Sequence, residues 1–261
     1  MKLSMYHVDA FTSQVFKGNP AGVCPLAEWL PDDVLQHIAA ENNLPETAFY
    51  LIRDSKVEIR WFTPTVEVDL CGHATLAAAF VLYHCEHYEH NTIEFYSPRS
   101  GALPVTVQEG RLVLNFPTDQ FSSIALTEEL ISTTNKIPVA AYKGKTDYML
   151  VFNNQEDIET MQPNLSIIAG LDARGIIVTA KGDTYDFVSR FFGPASGINE
   201  DPVTGSAHTT LTPYWAKQLD EMELHAFQLS ARGGAVDCRL LGDRVELVGN
   251  AVLYMKGEIY I

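Results

Sequence analysis

The chain repeats itself. Ser97, Arg99, Gly101, Ala102, Arg111 and Leu114 recur as Ser230, Arg232, Gly234, Ala235, Arg244 and Leu247 at one offset of 133 positions, and Gly72 and Ala74 recur at that offset as Gly205 and Ala207. Upstream, Arg60-Trp61-Phe62-Thr63-Pro64 matches Arg190-Phe191-Phe192-Gly193-Pro194 at an offset of 130. The difference places a three-residue insertion between Pro194 and Gly205, and the expectation is that it contains Glu200-Asp201-Pro202. Duplication constrains architecture before any element is assigned, because each copy must solve the same packing problem. Two similar halves are expected, 1–117 and 118–261, with the last strand, about 251–261, packing across to the first half.

Each half reads in a common order: strand, amphipathic helix, strand pair, a glycine turn into an apolar helix, and a closing hairpin. In the first half Pro31 and Asp32-Asp33 open the amphipathic helix, whose buried side is Val34, Leu35, Ile38 and Ala39. Strands follow at Thr47 to Ile52 and Val57 to Phe62, and Glu109-Gly110 between two alternating runs marks a hairpin. The helix beginning near Ala74 has no polar face, since Leu76 through Leu82 are all apolar, so it must be enclosed on every side. In a chain rich in short strands the simplest enclosure is a curled sheet around that helix, repeated around the helix starting near Ala207. The fold class is therefore α+β.

Composition narrows the function classes. A length of 261 residues with 46% hydrophobic content is enough for a sizeable core in two domains. A formal net charge of −15 repels phosphate backbones, so no nucleic-acid partner and no anionic membrane surface is expected. The longest apolar stretch, Leu76 to Tyr83, is far short of the roughly 20 residues that span a bilayer, and Lys2 to Asp9 alternates like a strand and not like a secretion signal. Cys24, Cys71, Cys85 and Cys238 share no metal-ligand spacing, which points to free thiols in a reducing, cytoplasmic setting. His84, His87 and His90 lie three apart in a polar segment and read as a solvated helix end, so no metal is expected.

Chemistry points to the glycine turns. Cys71-Gly72-His73-Ala74-Thr75 and Thr204-Gly205-Ser206-Ala207-His208 each lead into a central helix, whose first N–H groups lack internal partners and attract anions. With halves related by a pseudo-two-fold axis, both helix starts can serve one cleft and hold a carboxylate; ordinary helix caps are the plainer reading. Glu46, in Glu41-Asn42-Asn43-Leu44-Pro45-Glu46-Thr47, has its repeat counterpart near Arg174 or Gly175, so one half alone carries the carboxylate. It reads as a single acid/base group or as a solvated loop residue. Asp201 could bind a substrate amine or form an Asp-Pro turn, and His73 could exchange a proton or cap its turn.

These segments, with Val8-Asp9-Ala10-Phe11, Gly18-Asn19-Pro20-Ala21 and Glu200-Asp201-Pro202-Val203-Thr204-Gly205-Ser206-Ala207-His208, resemble the phenazine-biosynthesis PhzF family over nearly the whole chain. The resemblance implies a diaminopimelate epimerase-like fold, two domains each wrapping a sheet around a central helix, with the active site between them and no cofactor. It implies a proton-shifting isomerase acting on a small anionic metabolite. Glu46 would be the general acid/base, His73 and Asp201 would assist it, and Gly72, Gly205 and Ser206, flanked by Cys71 and Thr204, would bind substrate. A homodimer is implied as well. Related racemases use two cysteines; here the matching positions are Cys71 and Thr204, so a two-thiol mechanism is incomplete, while a Cys/Thr racemase or dehydratase and a catalytically silent binding protein remain alternatives.

Overall fold

Alternation builds the sheets. Lys56–Phe62 (KVEIRWF) sends Val57, Ile59 and Trp61 inward and Glu58 and Arg60 toward the other face, the period-two pattern of a half-buried strand. The computed structural model of the protein describes residues 1–53 and 56–261 and divides into two units, Met1–Asn115 with Val248–Ile261, and Phe116–Leu247.

In the first unit Asn19–Pro25 runs parallel to Glu46–Arg53, which is antiparallel to Lys56–Phe62; that strand is parallel to Thr92–Ser97, which is antiparallel to Gly101–Gln108. The second unit repeats this succession with Asp147–Val151, Gly175–Lys181, Phe187–Gly193, Glu223–Gln228 and Gly234–Leu241. Lys2–Ala10 is antiparallel to both Asn19–Pro25 and the last strand, Ala251–Tyr260. The Glu109-Gly110 turn joins Gly101–Gln108 to Arg111–Pro117, and both turn residues take positive φ (51° and 78°), the mirror-image turn that matches strand twist.

Each sheet curls around one helix. Gly72–Phe80 buries His73 through Ala79 without interruption and packs on Lys2–Ala10, Asn19–Pro25, Glu46–Arg53 and Ala251–Tyr260. Gly205–Leu219 is its counterpart and packs on Glu223–Gln228 and Gly234–Leu241. This second helix contains Pro213, which has no N–H to give the carbonyl of Thr209 four residues earlier. The Asp119 N–H supplies the bond instead, at 3.1 Å, so the proline leaves no orphaned acceptor.

Three details of the repeat differ from the sequence-based expectation. First, the insertion does not contain Glu200-Asp201-Pro202. Arg60 makes a bidentate ion pair with Glu67 (Nε–Oε1 2.7 Å, Nη2–Oε2 2.9 Å), and Arg190 makes the same pair with Glu200 (2.7 and 3.1 Å). Val68 faces Trp61 across the sheet as Asp201 faces Phe191. Glu200 and Asp201 thus occupy the places of Glu67 and Val68, and the extra residues form the short 3-10 turn Pro194–Ser196 upstream.

Second, Ser230 does not occupy the place of Ser97. Ser97 pairs with Gly101, whereas Gln228 pairs with Gly234, so the second turn is two residues longer and Gln228 takes the strand end. Third, the single amphipathic helix Asp32–Asn42 is matched by two short helices, Gln155–Glu159 and Leu165–Gly170. Pro163 lies between them, and each has its own asparagine cap: Asn154 accepts from the Asp157 N–H and Asn164 from the Ile167 N–H.

Candidate active site

In the first unit, Glu46 begins its strand beside Ala21, and Cys71 and His73 flank the glycine that starts the central helix. All three are buried. Glu46 Oε2 lies 3.1 Å from His73 Nε2, yet it has no aligned hydrogen-bond donor among the described residues. On the other side of the ring, the Asn19 amide sits 3.1 Å from Nδ1, and the Cys71 sulfur is 3.5 Å from the same nitrogen. The Asn19 amide can pair with Nδ1 through its NH2 when that nitrogen is bare and through its oxygen when it is protonated.

Charge follows from this packing. Burial, reinforced by Glu46, pushes the Cys71 thiol up to about 11, so the sulfur is protonated at neutral pH. Burial also opposes an imidazolium at His73, but the anionic character of Cys71 and Glu46 outweighs it and holds the His73 pKa well above the usual histidine value. With the thiol neutral, Glu46 provides that attraction near pH 7. The ring at 3.1 Å offsets part of the cost of burying that carboxylate.

The second unit builds a different cluster on the matching backbone. Thr204 stands at the place of Cys71, Ser206 at that of His73, and Gly205 at that of Gly72. Asp201 is buried and accepts from the Thr204 hydroxyl at 2.6 Å. Gln228, fully buried, accepts from the Thr204 N–H at 2.8 Å and donates to the Asp201 carbonyl at 2.7 Å and to Thr204 Oγ1 at 3.2 Å. Ser206 and Gly72 are half-buried in the first turns of their helices. One bond is conserved in role but not in chemistry: Thr75 Oγ1 donates to the Cys71 carbonyl at 2.6 Å, and His208 Nδ1 donates to the Thr204 carbonyl at 2.8 Å. Burial lowers the His208 pKa to about 4, so that ring is neutral at pH 7, and its Nε2 has no partner among the described residues.

Glu46, Cys71 and His73 are therefore brought together in one unit, and Asp201, Thr204, Gly205 and Ser206 in the other. Asn19 and Gln228 are the site residues that were not singled out from sequence. Asn19 lay in a quoted motif but carried no charge to mark it. Gln228 was hidden because the repeat aligned Ser230 with Ser97. Among the described residues, the groups that could jointly hold a metal ion are Glu46, Cys71 and His73, with donor atoms within 4.8 Å of one another; His84, His87 and His90 do not form such a group.

The family model described as "phenazine biosynthesis-like protein" matches residues 8–257. The chain belongs to this PhzC-PhzF family. An "uncharacterized isomerase" of Pseudomonas aeruginosa is 50% identical over 99% of both chains. A crystal structure of a PhzF-family phenazine biosynthesis protein from Enterococcus faecalis superposes with a TM-score of 0.97 at 46% identity, covering 100% of each chain. At the level of fold alone, a hydroxyproline epimerase from Agrobacterium vitis matches with a TM-score of 0.63 at 8% identity, over 99% of this chain and 92% of that one. The fold is thus α+β and diaminopimelate epimerase-like, with two pseudo-symmetric domains each wrapping a sheet around a helix. No helix among the described residues is long and apolar enough to cross a membrane.

Proposed function

We propose that this protein is an isomerase that moves a proton between carbons of a small carboxylate-bearing substrate, with Glu46 as its single acid/base group. The observation that carries the reading is the buried Glu46 Oε2, which has no aligned donor and is held beside the His73 ring. A carboxylate held against a histidine ring without a well-aligned hydrogen bond is placed to exchange a proton with a substrate or with that ring. The names of relatives that match over the full chain support the isomerase class.

In the proposed step Glu46 takes a proton from carbon and returns it to another carbon of the same substrate. His73 Nε2–H and the free N–H groups of the first helix turn, at Gly72 and His73, offset the negative charge that develops. Gly205 and Ser206 would offer the same kind of N–H cradle to the substrate carboxylate, and Asp201 would hold a substrate amine or hydroxyl. The Thr204 hydroxyl, already donating to Asp201 and accepting from Gln228, is committed to holding its turn. That favours one carboxylate over a symmetric pair of acid/base residues.

The test is carbon–deuterium exchange in deuterated water with candidate amino and hydroxy acids. Exchange that survives undiminished in Glu46→Gln would remove Glu46 from the mechanism. One observation favours a second reading, thiol-based racemisation or elimination: the Cys71 sulfur lies 3.5 Å from His73 Nδ1. On that reading Cys71→Ser abolishes exchange and Glu46→Gln only weakens it. Ligand-induced stabilisation without any exchange would instead identify a binding protein.

A further inference from the structure

We propose that Glu46, Cys71 and His73 form a built three-donor site for a thiophilic divalent cation such as Zn2+, and that its occupation switches the enzyme off. The binding half of the proposal stands on geometry alone. The inhibitory half rests on Glu46 being the acid/base group.

A four-coordinate zinc ion holds nitrogen and oxygen donors at about 2.0–2.1 Å and sulfur at about 2.3 Å, so its donors are separated by roughly 3.3 Å (N to O) and 3.6 Å (N to S). In the protein the His73 Nε2 to Glu46 Oε2 separation is 3.1 Å, and the His73 Nε2 to Cys71 Sγ separation is 3.9 Å. The sulfur sits nearer to Nδ1, at 3.5 Å, so the Cys71 side chain must swing toward Nε2 for the three donors to meet on one ion.

Two further observations point to a ligand. Glu46 Oε2 is buried and, among the described residues, has no aligned donor, although it lies 3.1 Å from His73 Nε2. Asn19 holds the opposite ring nitrogen at 3.1 Å, the kind of outer contact that orients metal-binding histidines, and by turning its amide it can accept from Nδ1–H once Nε2 is metal-bound. A thiolate, an imidazole and a carboxylate together select Zn2+ or Co2+ over Mg2+ and Ca2+, which prefer oxygen donors. The thiol and ring protons pass to solvent as the metal binds. The second unit offers nothing comparable, since Gly175, Thr204 and Ser206 stand at the three matching positions. The expected stoichiometry at this site is therefore one ion per chain.

The experiment uses the purified full chain, stripped of metal by chelation. Titration with Co2+ should give an intense near-ultraviolet sulfur-to-metal band together with the visible bands of a four-coordinate ion, and Zn2+ should displace it while millimolar Mg2+ does not. Cys71→Ser should lose the sulfur band and bind Zn2+ at least tenfold more weakly, and Glu46→Gln should also weaken binding. Co2+ bound without a sulfur band, or Zn2+ affinity unchanged in Cys71→Ser, would overturn the site. A readout on the unmutated protein covers the case of a variant that does not fold: Zn2+ must slow alkylation of the Cys71 peptide in urea high enough to expose the metal-free thiol, and equal labelling with and without the ion overturns the proposal. Zn2+ should also stop carbon–deuterium exchange reversibly, and exchange that continues with the site filled refutes the inhibitory half. Normal exchange in Glu46→Gln sinks the acid/base reading instead and does not bear on the cobalt spectrum of the unmutated protein.

Discussion

Glu46 and Gly175 occupy the same point in two copies of one sheet. Thr47 pairs with Phe62 as Ile176 pairs with Phe192, and the residue before each is the one in question. In the first unit that position carries a buried carboxylate with an unsatisfied oxygen. In the second it has no side chain, because a Cβ on Gly175 would come within 2.4 Å of the Phe192 carbonyl oxygen and 2.8 Å of the Phe191 ring. The second unit does place a carboxylate nearby, Asp147, the parallel-strand partner of Gly175, but Arg174 binds it through two hydrogen bonds, one of them at 2.9 Å. One copy keeps its carboxylate available and the other neutralises it. The repeated scaffold is thus the same at this point while the side chains it carries differ.

The comparison is tested most severely by rate. Glu46→Gln should lower carbon–deuterium exchange by about 10²- to 10⁴-fold, the usual contribution of a general acid/base, with a circular dichroism spectrum unchanged. A smaller loss would mean that the two copies differ less in function than in structure.

Next is the contrast between Thr75 and His208, which serve the same carbonyl position in their helices. His208 has a folded pKa of about 4 against 6.5 unfolded. Between those values the unfolded chain binds a proton and the folded chain does not, so the stabilisation is complete above pH 6.5 and is lost as pH falls toward 4. The loss should reach about 3 kcal/mol, read as a difference in urea midpoints between pH 7 and pH 4, and His208→Gln should flatten it. Threonine does not titrate, so the first unit contributes nothing comparable from this position.

Filling the empty position should come third. Gly175→Ala should cost roughly 1–3 kcal/mol through overpacking against Phe191 and Phe192. Unfolding in urea measures it, and an unchanged midpoint would mean that the absence of a carboxylate there has no steric cause.

The smallest effect concerns the twin ion pairs. Double-mutant cycles on Arg60 with Glu67 and on Arg190 with Glu200 should each give a coupling of about 1 kcal/mol, since both pairs are bidentate and partly buried. Each arginine also ties its strand to helical chain nearby, Arg60 to Asp32 and Arg190 to the carbonyls of Ile158 and Met161. Couplings that differ severalfold would mean that the structural match between the pairs is not an energetic one.

These residues also show what was legible in the sequence. The repeat, the all-apolar helix and the hairpin at Glu109-Gly110 were readable because they depend on local pattern and turn chemistry. Glu46 is picked out by the motif it shares with the family, since its position alone reads equally as a solvated loop residue. Offsets carried less information than they seemed to. A constant spacing of 133 aligned Ser97 with Ser230, but a turn of different length moved Gln228 into that place. The insertion was misplaced for a related reason: Glu67 and Glu200 pair with their arginines across strands, and such pairing is invisible until the strands are registered. Pro163 lies between the two short helices that match one helix of the first unit, and its missing N–H and clash with the preceding turn are the local signal for that division.

The first unit is discontinuous in the chain: Val248–Ile261 returns to it after the whole of Phe116–Leu247, and Ala251–Tyr260 lies along the full length of Lys2–Ala10. A ribosome delivers these strands in a fixed order. The second unit has all its residues before the first has its last strand, so during synthesis the edge of Lys2–Ala10 must wait unpaired on that side until Val248–Ile261 emerges.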